Sequence, residues 1–163
     1  MKRAFFQGLT AVAIATAAFS LETPVSQAQI QVGASTPIVS NAGTLNRNND
    51  HFLEVTVNGD MPLERLKVVC VTFHELSGVE VVDAETGEDI PFAFNAGFEE
   101  FTITFSDSLE AGKTVRIIMK DSRVRGRLGG LTVPYQVFAT YPSIGENIPI
   151  GTAVISIPEV TGR

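Results

Sequence analysis

Apolar side chains recur at every second position in much of this chain, and this period constrains the fold more than any other feature. Val133, Tyr135, Val137, Ala139 and Tyr141 form the longest such series. Successive side chains of a strand point to opposite faces, so a period of two predicts a strand with one buried face. No long segment has the 3.6-residue period of an amphipathic helix. The chain is therefore predicted to be all-β.

The same alternation predicts strands elsewhere, at residues 52–57, 79–82, 90–94, 101–105, 115–119 and 152–157. Residues 66–73 are apolar at both parities, which predicts a central strand covered on both faces. Segments 79–82 and 90–94 are expected to form a hairpin with its turn near Thr86-Gly87. We expect a polar loop at 40–50 and short helical turns at 62–65 and 108–110. Seven or eight short strands with Gly and Pro turns predict a single antiparallel β-sandwich.

Residues 1–28 have the organisation of a secretory signal peptide. Lys2 and Arg3 precede an uncharged apolar run at 4–21, and Val-Ser-Gln-Ala at 25–28 places small residues before a cut after Ala28. The run is too short and too weakly apolar for a good membrane span. We expect one domain at 29–163, exported to the periplasm, the cell envelope or the extracellular space. That mature chain is expected to have no transmembrane segment.

Charge and cysteine content narrow the function classes. Removal of residues 1–28 takes away two of 12 basic and one of 18 acidic residues, leaving 10 against 17 and a net charge of −7. Such an acidic balance argues against a nucleic-acid partner, because phosphate binding requires clustered Lys and Arg. Cys70 is the only cysteine, and its apolar neighbours predict a small buried residue. His74, four residues along the same predicted strand, would lie too far away to activate the thiol.

A resemblance to a known family rests on three segments in the second half of the chain. They read Ser-Leu-Glu-Ala-Gly-Lys-Thr-Val-Arg-Ile at 108–117, Tyr-Gln-Val-Phe-Ala-Thr-Tyr-Pro at 135–142 and Ile-Gly-Thr-Ala at 150–153. The chain resembles a cyanobacterial family of exported immunoglobulin-like β-sandwich proteins of unknown function, most strongly from Phe101 onward. It departs from that family at 122–127, where an Asn-Pro pair is usual. The resemblance implies an exported location and this fold, and it implies no catalytic residues.

Half of the mature cations lie within twelve positions of an otherwise acidic domain. We call these residues the basic set: Arg116, Lys120, Arg123, Arg125 and Arg127. Ammonium and guanidinium groups bind phosphate and carboxylate groups, so the basic set is the candidate binding site for an anionic partner in the cell envelope. The alternative is a loop that keeps one end of a sheet solvated.

Metal binding is the competing hypothesis. His51 and His74, with Met61 or Met119, could bind copper only if the fold brings them together. Four carboxylates within seven residues could bind calcium or simply form a solvated turn: Asp83, Glu85, Glu88 and Asp89. Neither the spacing of a structural zinc site nor that of an EF-hand is present. No metal site or other cofactor is therefore predicted.

Catalytic motifs are missing from the sequence. There is no Gly-x-Ser-x-Gly turn, no His-Glu-x-x-His helix and no glycine-rich phosphate loop. The aromatic cluster at residues 92, 94, 98, 101 and 105 is expected to fill the core, and an exposed Phe98 would contradict that expectation. We therefore expect a non-catalytic cell-envelope domain that binds or supports an unidentified component. The alternative is a periplasmic carrier of copper or calcium.

Overall fold

Almost all of the residues described by the computed structural model, 36–70, 74–124, 131–142 and 144–157, lie in strands or in the turns between them. All of them belong to one unit, Val32–Arg163. None of these ranges contains a helix long and apolar enough to cross a membrane. The strands are β1 Ile38–Leu45, β2 Asp50–Thr56, β3 Leu63–Cys70, β4 His74–Glu75, β5 Gly78–Asp83, β6 Phe92–Ala96, β7 Glu100–Leu109, β8 Thr114–Lys120, β9 Arg123–Val124, β10 Leu131–Tyr141 and β11 Gly145–Ile157.

Two antiparallel sheets form the body of the fold. One has the strand order β1-β2-β8-β5 and the other β11-β10-β3-β7-β6, while β4 and β9 form a separate short pair. Side chains from both larger sheets belong to one buried apolar cluster, so the sheets pack face to face. The predicted all-β antiparallel sandwich is confirmed.

The core consists of the inward faces that the period of two predicts. Alternate residues of β2 and β8, of β7 from Phe101 to Phe105 and of β10 from Val133 are at most 4% exposed, and so are those of β3 from Leu66 onward. In β10 these residues are Val133, Tyr135, Val137, Ala139 and Tyr141, as predicted. Leu109 is also buried and closes the sandwich near the turn at Gly112, whose φ is +85°. Alternating apolar residues therefore supply both halves of the core.

The predicted loop at 40–50 is wrong, because β1 occupies most of it. Ala42 pairs with Leu53 and Gly43 with Phe52, which makes β1 an outer strand beside β2. An outer strand tolerates small polar residues because it pairs with a single strand of its own sheet and one of its faces is solvated. The loop itself is confined to the residues around Asn46 and Arg47, both of which have positive φ.

The predicted hairpin is correct at its turn and wrong in its arms. The Asp83 N–H donates to the Glu88 carbonyl at 2.8 Å, and the Ile90 N–H donates to the Val81 carbonyl at 2.9 Å. Beyond this point β5 pairs with β8, whereas β6 pairs with β7 in the other sheet. Pro91 lies where the chain passes from one sheet to the other. It has no N–H, so it cannot continue the hydrogen bonds between the two arms of the hairpin.

Both predicted helical turns are wrong, because they are parts of strands. β3 begins at Leu63 and β7 ends at Leu109, and these two residues pair across a register shift that buries both side chains. β3 also buries only one face, since Lys67 and Val69 are half-buried on the other. The remainder of the predicted strand 66–73 and the predicted signal peptide lie outside the described residues.

Candidate functional site

A groove of about 310 Å³ opens between the start of β5 and the β6–β7 hairpin. Phe94, Phe98 and Phe101 of the hairpin line one side, and the segment 75–78 lines the other. Cys70 and Phe101 form its base and are each 4% exposed. We call this feature the β6 groove. It lies at the side of the sandwich where β5 and β6 are the outer strands of their sheets.

The hairpin between β6 and β7 presents Phe98 to solvent. The Gly97 N–H donates to the Glu100 carbonyl at 2.7 Å, and the Cys70 N–H donates to the Glu99 carbonyl at 2.8 Å. The first bond closes the hairpin and the second fixes its tip against the end of β3, and Phe98 is 73% exposed there. The expectation that all five phenylalanines fill the core is therefore wrong for Phe98.

Phe94 is also exposed, to 40%, although it faces inward. It pairs with the fully buried Ile103 in an antiparallel ladder, so both side chains lie on the inner face of the sheet. Its ring contacts Phe101, with 5.8 Å between the centroids. Phe94 is exposed because the opposite sheet does not cover this end of β6. The apolar floor of the β6 groove is thus part of the core face left uncovered.

Carboxylates surround this apolar floor. Glu75, Glu99 and Glu100 line the β6 groove, and none of its described lining residues is Lys, Arg or His. Glu100 also pairs with Lys67 on the outer face, at 2.7 Å. The groove therefore combines exposed aromatic surface with negative charge.

The structure describes only part of the basic set. Arg116 donates from Nε and Nη2 to Oε1 of Glu54, at 2.8 and 2.6 Å, and its guanidinium lies 5.6 Å from the ring centroid of Phe52. Lys120 pairs with Glu80 at 2.6 Å, and this hydrogen bond raises the pKa of Lys120. Both cations therefore have carboxylate partners on their own sheet.

For the other three members of the basic set, the structure describes no side-chain contacts. Arg123 lies in β9, but its side chain is outside the described part of the structure, as are Arg125 and Arg127. Anion binding by the basic set therefore stays a prediction.

His51 is buried, although it directly follows the predicted loop at 40–50. It lies in β2, and its Nδ1 is 2.6 Å from the Tyr135 hydroxyl oxygen across the core. The two rings meet edge to face at 83°. The position could have been found from the sequence, because His51 continues the inward series of Leu53 and Val55. The imidazole thus joins the two sheets at one end of the sandwich.

Burial determines the protonation of this pair. Desolvation lowers the pKa of His51 to about 4, although the neighbouring Asp50 carboxylate acts in the opposite direction. Burial also raises the pKa of Tyr135. Asp50 accepts a hydrogen bond from the Asp121 backbone N–H at 2.9 Å, and this bond lowers the pKa of Asp50 below its usual value. His51 is therefore neutral inside the fold at neutral pH.

Cys70 is buried as predicted. It pairs with Tyr135 across β3 and β10, so the two side chains are neighbours on the inner face. The His74 side chain lies outside the described part of the structure, and its predicted distance from Cys70 stays a prediction.

The acidic turn is organised by its own backbone. The Asp83 carboxylate accepts hydrogen bonds from the Glu85 and Thr86 N–H groups, at 2.9 and 3.2 Å, and from Lys113 at 3.1 Å. These bonds lower the pKa of Asp83. Across the described ranges, no three or more His, Cys, Asp or Glu side chains are grouped so that they could hold a metal ion.

Comparisons with known proteins give structural similarity only at low identity. No protein-family model matches the sequence, and no curated protein matches it. The collagen-binding domain of a Staphylococcus aureus adhesin is 7% identical with a TM-score of 0.42, over 76% of this chain and 97% of that domain.

Two further structures match over less than half of their own length. A chain from the structure of Gaeumannomyces graminis manganese lipoxygenase and part of Komagataella pastoris zonadhesin is 15% identical with a TM-score of 0.42, over 76% of this chain and 46% of that chain. The C-terminal domain of the Streptococcus pyogenes antigen I/II-family protein AspA is 14% identical with a TM-score of 0.39, over 71% and 42%.

The two buried tyrosines provide a matched test of the His51 contact. Tyr135→Phe removes the hydroxyl that bonds His51, so we expect it to lower the free energy of unfolding by about 1–3 kcal/mol. The Tyr141 hydroxyl is buried with no hydrogen-bond partner among the described residues, and burial raises its pKa to about 12. Tyr141→Phe is therefore expected to be neutral or stabilising. Urea unfolding of both variants measures the difference, and equal losses would contradict the assignment.

His51 is also expected to make stability depend on pH. Its pKa is about 4 in the folded chain and near 6.5 when exposed, so the unfolded state binds more protons between these values. The free energy of unfolding should fall by up to about 3 kcal/mol as the pH drops from 6.5 to 4. Asp50 and Asp83, with lowered pKa values, lose their contributions only at lower pH.

Urea unfolding across this pH range, with His51→Gln as the comparison, measures the effect. In the variant, the free energy of unfolding should no longer fall between pH 6.5 and 4, but it should still fall below pH 4. The same slope in both proteins would assign the pH dependence to other groups.

Proposed function

We propose that this chain is an exported, non-catalytic domain of the cell envelope that binds a partner through the β6 groove. The exposed aromatic surface of Phe98 and Phe94 is the observation that carries the proposal. Large aromatic side chains are costly to leave in water, and they dominate the energetics of protein interfaces. Their position beside an apolar concave floor is typical of a binding surface.

The chemistry of the described groups supports a role without catalysis. A hydrolytic site needs a nucleophile, a base and an orienting acid around accessible space. His51 is fully buried and Cys70 is 4% exposed, so neither meets solvent. Ser77 lines the β6 groove and donates to the Asp121 carboxylate at 2.9 Å, but no described imidazole lines the groove with it. The β6 groove therefore offers contact surface and carboxylates, but its described lining residues do not pair a nucleophile with an imidazole base.

Export is proposed from the sequence of residues 1–28. The burial of Cys70 agrees with it, because a thiol shielded from solvent is protected from oxidation outside the cytoplasm. The basic set stays a second proposed contact for an anionic envelope component. Its two described side chains, Arg116 and Lys120, would first have to leave Glu54 and Glu80.

Photo-cross-linking in cells tests the binding surface. A photoreactive phenylalanine analogue at Phe98 is expected to form adducts with an envelope component, because this ring would contact the partner. The matched control places the same analogue at Val154, which is 56% exposed on β11. Adducts at Val154 as abundant as those at Phe98, or none at Phe98, would contradict the proposal.

Processing of the leader is tested separately. Protein recovered from the cell envelope is expected to begin at Gln29, because the cut is proposed after Ala28. Mass spectrometry of the intact chain measures its start. A full-length chain beginning at Met1 and confined to the cytoplasm would contradict export.

A further inference from the structure

The outer edge of β6 has no strand paired to it among the described residues. β6 is the last strand of the five-stranded sheet and pairs with β7 alone in that part of the chain. An open edge presents backbone N–H and C=O groups to any extended chain that can align with it. The β6 edge is therefore a potential site of strand addition.

The hydrogen-bond register identifies which groups point outward. Gly97 bonds Glu100, and Pro91 accepts from Ser106, so both of these pairs are hydrogen-bonded. Hydrogen-bonded and non-hydrogen-bonded residue pairs alternate along an antiparallel ladder. Residues 93 and 95 are therefore also hydrogen-bonded to β7. The N–H and C=O groups of Phe92, Phe94 and Ala96 consequently point to the open edge. These three alternate residues span the five residues of β6, which is the length of a short strand.

β6 lacks the charges that usually protect an outer strand. Its sequence is Phe-Ala-Phe-Asn-Ala, with no Lys, Arg, Asp or Glu. By contrast, β5, the outer strand of the other sheet on this side of the sandwich, carries Glu80 paired with Lys120. Charged side chains on an edge discourage pairing with other chains, so β6 is the more receptive of the two strands.

Negative charge surrounds both ends of this uncharged strand. Glu75, Glu99 and Glu100 line the β6 groove at one end, where Glu100 also pairs with Lys67 and Glu75 lies opposite Arg123 in the β4–β9 pair. A second hollow at the other end, beside Ile90 and Pro91, is lined by Asp107 and Glu110, together with a Lys113 that pairs with Asp83. The occupant that fits is therefore apolar in its middle and positively charged at its ends.

We propose that the partner is an extended, lysine- or arginine-flanked segment of another protein, which adds to the five-stranded sheet along β6. Its backbone pairs with the outward groups of Phe92, Phe94 and Ala96. Alternate side chains enter the β6 groove against Phe94 and Phe98, and its cations meet the flanking carboxylates. This inference rests on the proposed function and names the class of partner.

A second copy of this chain fits the same edge less well. Antiparallel pairing of β6 with itself, centred on Phe94, would bring residue 98 of one copy opposite residue 90 of the other. Glu99 would then approach the hollow that contains Asp107 and Glu110. Like charges at these contacts disfavour self-association, whereas a cationic segment neutralises them.

Titration with synthetic peptides tests the class of partner. The probe is a peptide in which Val and Thr alternate between flanking lysine pairs, and the control peptide has glutamate pairs instead. Fluorescence anisotropy should detect binding of the lysine-flanked probe only, and this binding should weaken as salt is added. Hydrogen exchange should slow at the amides of Phe92, Phe94 and Ala96, while residues 93 and 95 are already protected.

Three variants locate the contact. Ala96→Pro removes an outward N–H without taking a bond from β7, and it should abolish binding of the probe. Glu99→Lys should weaken binding by about three- to tenfold through charge reversal. Glu146→Lys, the same change at a side chain that is 70% exposed on β11, should leave binding unchanged and serves as the matched control.

Several outcomes would overturn the inference. These are equal binding of the glutamate-flanked peptide, protection at amides other than those of β6, and β6 protection that rises with protein concentration without peptide, which would identify a second copy as the occupant. If Ala96→Pro does not fold, Glu99→Lys and the exchange pattern decide. Cross-linking at Phe98 in cells without probe binding would keep the proposed function and reject this partner class.

Discussion

The apolar layer between the two sheets is the interaction on which the whole structure depends. Each sheet supplies alternate side chains to it, and residues such as Leu53, Ile103, Ile117 and Val137 are completely buried. Fully burying one such side chain stabilises the fold by about 1.5–3 kcal/mol. No described disulfide or metal cluster supplements this layer, so its continuity determines which parts of the chain are well packed.

Two features of the structure lie where this layer is interrupted. At one end His51 and Tyr135 replace apolar contacts with a hydrogen bond between the sheets. A neutral imidazole is compatible with that position, and a charged one is not. Along the open side, Phe94 keeps its inward direction but loses the opposite sheet that would cover it. The β6 groove is thus core surface that this domain does not bury by itself.

The predictions were correct where the local sequence pattern alone determines which side chains face the core. They were wrong where the structure depends on which strands pair. Alternation identified the inward faces of β2, β7, β8 and β10 because strand geometry converts spacing directly into facing. It failed for β1, since an outer strand needs few apolar residues. It also failed for the second arm of the predicted hairpin, because the choice of sheet at Pro91 depends on β7, which comes later in the chain.

The sequence by itself determined the all-β class, the faces of the main strands and the burial of Cys70. Those properties follow from the alternation of side chains along one strand. Only the tertiary structure decided that His51 meets Tyr135, 84 residues away, and that Phe98 stays in solvent beside an open strand edge. Contacts between distant segments depend on the order of the strands and on how far one sheet covers the other. The spacing of apolar residues along one strand contains no information about either.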